Sequence, residues 1–169
     1  MNKPVVISNS TPIILLQKIG QLDLLRQLYS KICIANAVYQ EVIIDGAEKT
    51  GQGDFISKYD WIEIAEIKNI EAKTMFTTSL HDGEVETMIL SMEKSADLCI
   101  IDDLLARKYA KRFNLNIIGT LGLLVTAKKR GFVKEVKPLI NQLIEAGMFV
   151  GDDLYNAVIS MAEERMSRV

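Results

Sequence analysis

The sequence predicts an α/β fold built on a mainly parallel sheet. Short β-rich runs alternate with longer stretches that fit a 3.6-residue period. Apolar runs such as VVI and CII are continuous rather than alternating, as expected of strands covered on both faces and joined by right-handed crossovers. With 169 residues, 49% of them hydrophobic and 25% charged, the chain can bury a substantial core and reads as a single domain over residues 1–169.

The first strand is read at 4–8 (PVVIS), where branched apolar residues precede the polar stop Asn9-Ser10. Helices at 11–18 and 22–28 follow, with Pro12 in the first turn and Gly20 between them. A second strand at 31–35 (KICIA) leads into a helix at 37–44. Residues 45–54, with Gly46, Gly51 and Gly53, read as an exposed loop. WIEIAEI at 61–67 alternates most cleanly, so one wet face is expected, at a sheet edge or in a hairpin arm. A helix at 84–93, a strand at 97–101 (DLCII), a helix at 104–113, a strand at 115–119 (LNIIG) and a helix at 121–129 complete the alternation. Residues from about 132 to 169 carry two further amphipathic stretches, 135–145 and 153–164, with no strand signal between them. They are expected to form a helical C-terminal extension.

Composition excludes several function classes. Twenty Lys and Arg against twenty-two Asp and Glu leave a net charge of -2, so any polyanion must be held by a local patch. Cys33 and Cys99 each sit in an apolar run, which suits buried free thiols and a reducing cytoplasm. No apolar run is long enough for a bilayer, and the N-terminus lacks a signal h-region, so no membrane association is expected. The chain has one histidine, His81, and no HExxH, CxxC, GxGxxG or GxxxxGKS/T motif. Carboxylate chemistry remains.

In an open parallel sheet, ligands bind beyond the carboxyl ends of the strands. Asn9, Ser10 and Thr11 follow the first strand, Asp102 and Asp103 the fourth, and Gly119 and Thr120 the fifth; Glu41 and Glu84 lie on neighbouring helices. Each has an ordinary alternative. Asn9, Ser10 or either Asp could cap a helix, Glu84 suits the dipole of a first turn, and Glu41 could be solvated. The doubled Asp is the least satisfied by capping, because adjacent carboxylates repel unless a cation or donor sits among them. A hard divalent ion meets that need with oxygen ligands and retained waters, and phosphodiester hydrolysis is chemistry it supports.

The segments ISNSTPIILLQKIGQLDLL, AVYQEV, LHDGEVETMIL, LCIIDDLLARKYAKRFNLNIIGTLGLLVTAKKRG and VKPLINQLIEAGMFV, taken in this order and spacing, resemble the PIN-domain family, which includes the VapC-type toxins of bacterial toxin-antitoxin pairs. The similarity is to a less characterised branch and covers nearly the whole chain. It implies a three-layer α/β/α fold, an acidic pocket, a ribonuclease dependent on Mg²⁺ or Mn²⁺, a homodimer and a cognate antitoxin that covers the pocket. It places metal-holding positions at Asn9, Glu41, Glu84 and Asp102, with Asp103 completing the catalytic acids and either of the two aspartates able to face the metal, and with Ser10 and Thr120 lending hydroxyls toward RNA. Asn9 stands where PIN nucleases typically have Asp, which removes one negative charge. That departure motivates the alternative: a noncatalytic PIN-like module with a degenerate metal site that binds RNA or a protein.

Charge patterning adds a basic helix face. Arg107 with Lys111 and Lys108 with Arg112 are like-charged pairs at i, i+4, a cost that an anionic neighbour such as RNA would offset. Lys128, Lys129 and Arg130 form a second basic step, and Tyr109 and Phe113 are candidate base stackers. Solvated faces, dipole charges and core aromatics are the ordinary explanations for the same residues.

Overall fold

Five parallel strands, β1 (Val6–Ser8), β2 (Ile32–Ala35), β3 (Ile62–Ala65), β4 (Leu98–Ile100) and β5 (Ile117–Ile118), form one sheet in the order β3-β2-β1-β4-β5. The computed structural model describes residues 2–50 and 53–164, the side chains of 45–50 excepted. From β1 the chain builds outward through β2 to β3, then returns to add β4 and β5 on the other side. That reversal makes β1 and β4 neighbours and opens a crevice at their carboxyl ends. Ser8 pairs with Ile100, and the Asn9 amide donates to the Ile100 carbonyl at 3.0 Å, so the two chain segments leave the sheet side by side. β3, the alternating WIEIAEI run, is an edge strand.

The intervening helices are α1 (Ser10–Lys18), α2 (Asp23–Tyr29), α3 (Asn36–Thr50), α4 (Asp82–Glu93), α5 (Leu104–Arg112), α6 (Thr120–Lys129), α7 (Lys137–Glu145) and α8 (Asp152–Met161). The expected loop at 45–54 is corrected in its first half: α3 continues to Thr50. Its stretch Ala47-Glu48-Lys49 consists of strong helix formers, which outweigh the single Gly46. A short 3₁₀ segment at Ile70–Met75, with no clear signal in the sequence, precedes α4.

Strand β4 shows why both sheet faces are covered. Successive side chains point to opposite faces, and Ile100 packs in the larger core with Ile13 and Leu16 of α1, Leu25 of α2 and Leu124 of α6. Cys99 and the following Ile101 pack instead with Val85, Met88 and Ile89 of α4 and Ala106 and Ala110 of α5. The result is a three-layer α/β/α arrangement. Leu139, Ile140 and Leu143 of α7 and Val158 and Ile159 of α8 belong to the larger core, so the C-terminal helices dock on the same hydrophobic mass. Both cysteines are buried and free, and burial pushes the Cys33 thiol up to about 11. Among the described residues no helix is long and apolar enough to cross a membrane.

Two residues of the second basic step tie parts of the fold together. Arg130 donates to the Leu28 carbonyl at 2.9 Å, and Lys128 pairs with Glu164 at 3.0 Å. The Glu164 carboxylate also accepts from the Val136 and Lys137 amides, satisfying the start of α7. Burial alone would raise this carboxyl, but the two amides and the Lys128 ammonium outweigh it and hold it below its ordinary value. A depressed folded-state pKa contributes stability above the unfolded value near 4.3, lost as pH falls through the folded value. Glu164→Gln is therefore expected to lower stability by about 1–2 kcal/mol at pH 7. In thermal melts the difference from wild type should close as pH drops below about 4.

Candidate active site

The crevice between β1 and β4 holds a cavity of about 690 Å³. Ser10 and Thr11 of α1, Glu84 of α4 and the pair Asp102-Asp103 line it, together with His81 and Lys18. The segment 146–149, between α7 and α8, forms the remaining wall. The N-termini of α1, α5 and α6, each directly after a strand, lie at this end of the sheet, with that of α4 beside them. Their partial positive charges favour the acids that sit in or beside their first turns.

The two adjacent aspartates part company. Asp103 is the N-cap of α5, its Oδ1 accepting from the Ala106 amide at 2.8 Å. Asp102 reaches instead to the start of α6, where it accepts from the Thr120 amide at 2.8 Å and the Thr120 hydroxyl at 2.6 Å. Gly119 makes this possible: a Cβ there would stand 2.8 Å from Asp102 Oδ1 and 3.1 Å from the Arg107 guanidinium.

Glu41 is held from two other helices. One oxygen accepts from the Ser10 hydroxyl at 2.8 Å and the other from the Gly83 amide at 2.9 Å. A Cβ at position 83 would overlap both carboxylate oxygens. Glu84 accepts from the His81 amide at 3.0 Å, with His81 at the N-cap of α4. Burial pushes the Glu84 carboxyl above its ordinary value; the His81 amide opposes this, while the charges of Asp103 and Glu41 add to it. Three acids from three separate elements thus share one negative field.

Asn9 occupies the N-cap position of α1 but makes no side-chain cap bond. It is 2% exposed, and its Oδ1 is buried without a hydrogen-bond partner. Buried carbonyl oxygens are nearly always paired, so this one is available to an ordered water or a bound ion.

Of the residues expected at the site, Ser10, Glu84, Asp102 and Asp103 line one cavity, and Glu41 joins them through Ser10 and Gly83. The Ser10 and Thr120 hydroxyls, expected to face RNA, are buried and donate to Glu41 and Asp102 instead. Arg107 turns back beneath the crevice and donates to the Ile101 carbonyl at 2.9 Å, so its guanidinium serves the fold. Lys108 and Lys111 stay exposed on α5. Tyr109 and Phe113 both pack against Phe76, at 5.6 and 5.4 Å between ring centres, in an aromatic group of their own. The sequence reading missed Lys18, at the end of α1, and the 146–149 segment, which reaches the cavity because α7 packs against α1. Lys18 donates to the Ala146 carbonyl at 3.0 Å.

An acidic crevice at the reversal point of a parallel sheet stands where α/β proteins of this architecture bind their ligands. A PIN-domain family model matches residues 5–164, and the chain belongs to that family, whose fold is generally a nuclease fold. Its members are typically dependent on a divalent metal ion. A PilT N-terminus domain protein from the hyperthermophilic archaeon Sulfolobus solfataricus P2 is similar in structure, at 16% identity and a TM-score of 0.48, over 87% of this chain and 96% of that one. No curated protein matches.

Proposed function

We propose that this chain is a Mg²⁺- or Mn²⁺-dependent endoribonuclease that hydrolyses RNA phosphodiester bonds. One observation carries the reading: the partnerless, buried Asn9 oxygen lies at the strand end beside a crevice lined by Glu84, Asp102 and Asp103. Among the described residues no three His, Cys, Asp or Glu side chains stand close enough to hold an ion by themselves. A hard ion needs no such cage, because it takes one or two carboxylates and keeps most of its water. Asn9 Oδ1, Glu41, Glu84 and Asp102 would hold it, directly or through water; a carboxylate oxygen that accepts one hydrogen bond still has a lone pair free. When bound, such an ion supplies a water of lowered pKa and neutralises charge on the phosphoryl oxygens.

The remaining residues position these groups. Thr120 fixes the Asp102 carboxylate at two points, and Ser10 and Gly83 fix Glu41. Asp103 adds negative charge beside Glu84 while capping α5. Lys18 and the first turn of α1 line the same cavity and offer positive charge to the phosphates on either side of the bond cut. The roles of toxin, antitoxin partner and homodimer are part of the proposal on the strength of the family resemblance.

The test is cleavage of a labelled structured RNA in Mn²⁺ and in excess chelator, with Asp102→Ala purified identically. Cutting that needs Mn²⁺ and is lost in the variant supports the enzyme. Equal cutting by both proteins, or none with any RNA, overturns it and leaves the noncatalytic binding module that Asn9 suggests. Gly83→Ala sharpens the test. The added methyl must displace the flexible end of Glu41 rather than backbone, so the fold should persist, with the lost Ser10 and Gly83 hydrogen bonds lowering the melting temperature, while cleavage falls about 100-fold.

A further inference from the structure

We propose that Phe149 is a stacking platform that holds an RNA base at the rim of the crevice. The inference rests on the reading of the crevice as a ribonuclease site and names a residue that positions its substrate. Phe149 lies at the rim of the acidic cavity and is 91% exposed. The other phenylalanines differ: Phe55 is 1% exposed, Phe76 and Phe113 pack on each other, and Phe132 is 43% exposed.

Phe149 is carried by an anchored segment rather than a loose one. The Gly147 amide donates to the Ile144 carbonyl at 3.0 Å and the Met148 amide to Leu143 at 2.9 Å, which close the end of α7. Gly147 takes a φ of +106°, a turn conformation that L side chains rarely adopt. Lys18 holds the same segment from α1 through Ala146. The ring therefore stands on a fixed support while forgoing the burial that a phenylalanine normally gains.

The groups around the cavity match the parts of a nucleotide strand. An aromatic face suits a base, the Lys18 ammonium suits a flanking phosphate, and the acids suit the phosphate at which the bond is cut. A base inside a duplex has both faces covered by its neighbours, so only an unstacked base can use the ring. Its chain neighbours turn inward, Met148 to the cavity wall and Val150 to the larger core, which leaves the phenyl as the exposed member of the three.

The test compares wild type, Phe149→Ala, Phe149→Leu and Phe149→Trp in anisotropy titrations with fluorescein-labelled single-stranded oligoadenylate and with a blunt RNA duplex of equal length. Stopped-flow recording captures binding before turnover. Loss of one stacked base should weaken the single strand about 5- to 100-fold in the Ala and Leu variants, with Trp retaining it and duplex binding unchanged. Tryptophan at 149 should also be quenched by oligoadenylate, whereas the native Trp61, 7% exposed, should not respond. Wild-type affinity in Phe149→Ala overturns the proposal. Wild-type affinity in Phe149→Leu overturns it too, since an apolar contact without stacking would then suffice and a protein partner would be the better occupant. Cleavage that persists equally in Phe149→Ala removes the platform and keeps the nuclease; Phe149-dependent binding without cleavage in any metal does the reverse.

Discussion

Asp102→Asn should reduce metal-dependent RNA cleavage about a thousandfold while leaving the fold intact. The expectation follows from what the amide can and cannot replace. Asn at 102 still accepts from the Thr120 amide through its oxygen, and its NH₂ can donate to the Thr120 hydroxyl, which accepts as readily as it donates. The negative charge is gone, and with it the attraction for a divalent cation. Thr120→Val is the matching control. It keeps the charge and removes one charge-assisted hydrogen bond, so it should cost about 1.5–3 kcal/mol of stability with a smaller loss of rate. Initial rates on labelled RNA, read with melting curves of the same preparations, separate the two. Comparable rates for Asp102→Asn and wild type would remove Asp102 from the chemistry.

Asn9→Asp should have opposite effects with and without metal. The side chain is buried, and its oxygen has no partner to compensate a charge. In chelator, a carboxylate there costs its desolvation, about 1–3 kcal/mol, and the melting temperature should fall. In Mn²⁺ the new charge faces the cation, and each tenfold gain in affinity returns about 1.4 kcal/mol at saturating metal. The Mn²⁺-induced rise in melting temperature should therefore be larger in the variant than in wild type. A variant that melts low in both conditions, with no greater response to Mn²⁺, would show that Asn9 is remote from any ion.

The fold was legible in the sequence to the extent that it is written in local periodicity. The runs VVIS, ICIA and LCII locate three central strands because strands buried on both faces leave no polar alternation, and WIEIAEI gives away the edge by alternating. Gly46 misled, because one glycine in a run of good helix formers lowers helix stability without ending the helix. At the site, residue types were legible but partners were not. The bonds that define it, Thr120 to Asp102, Ser10 to Glu41 and Gly83 to Glu41, join residues 18, 31 and 42 positions apart. No local pattern announces them. Arg107 had the spacing of a phosphate binder, yet Ile101 at the end of β4 offered its carbonyl first. Phe149 carried no signal, since a residue between two helices belongs to neither periodicity.

The two backbone amides that grip the acids have a practical value. Gly83 N–H points at Glu41 and Thr120 N–H at Asp102, so each amide senses the electron density of the carboxylate oxygen it holds. Any cation that draws on that oxygen weakens the hydrogen bond and moves the amide resonance. A ¹⁵N-labelled sample therefore carries two native reporters, one on each side of the crevice. Titrating Mg²⁺ against their cross-peaks would show which acid meets the ion first, with no substitution and no substrate present.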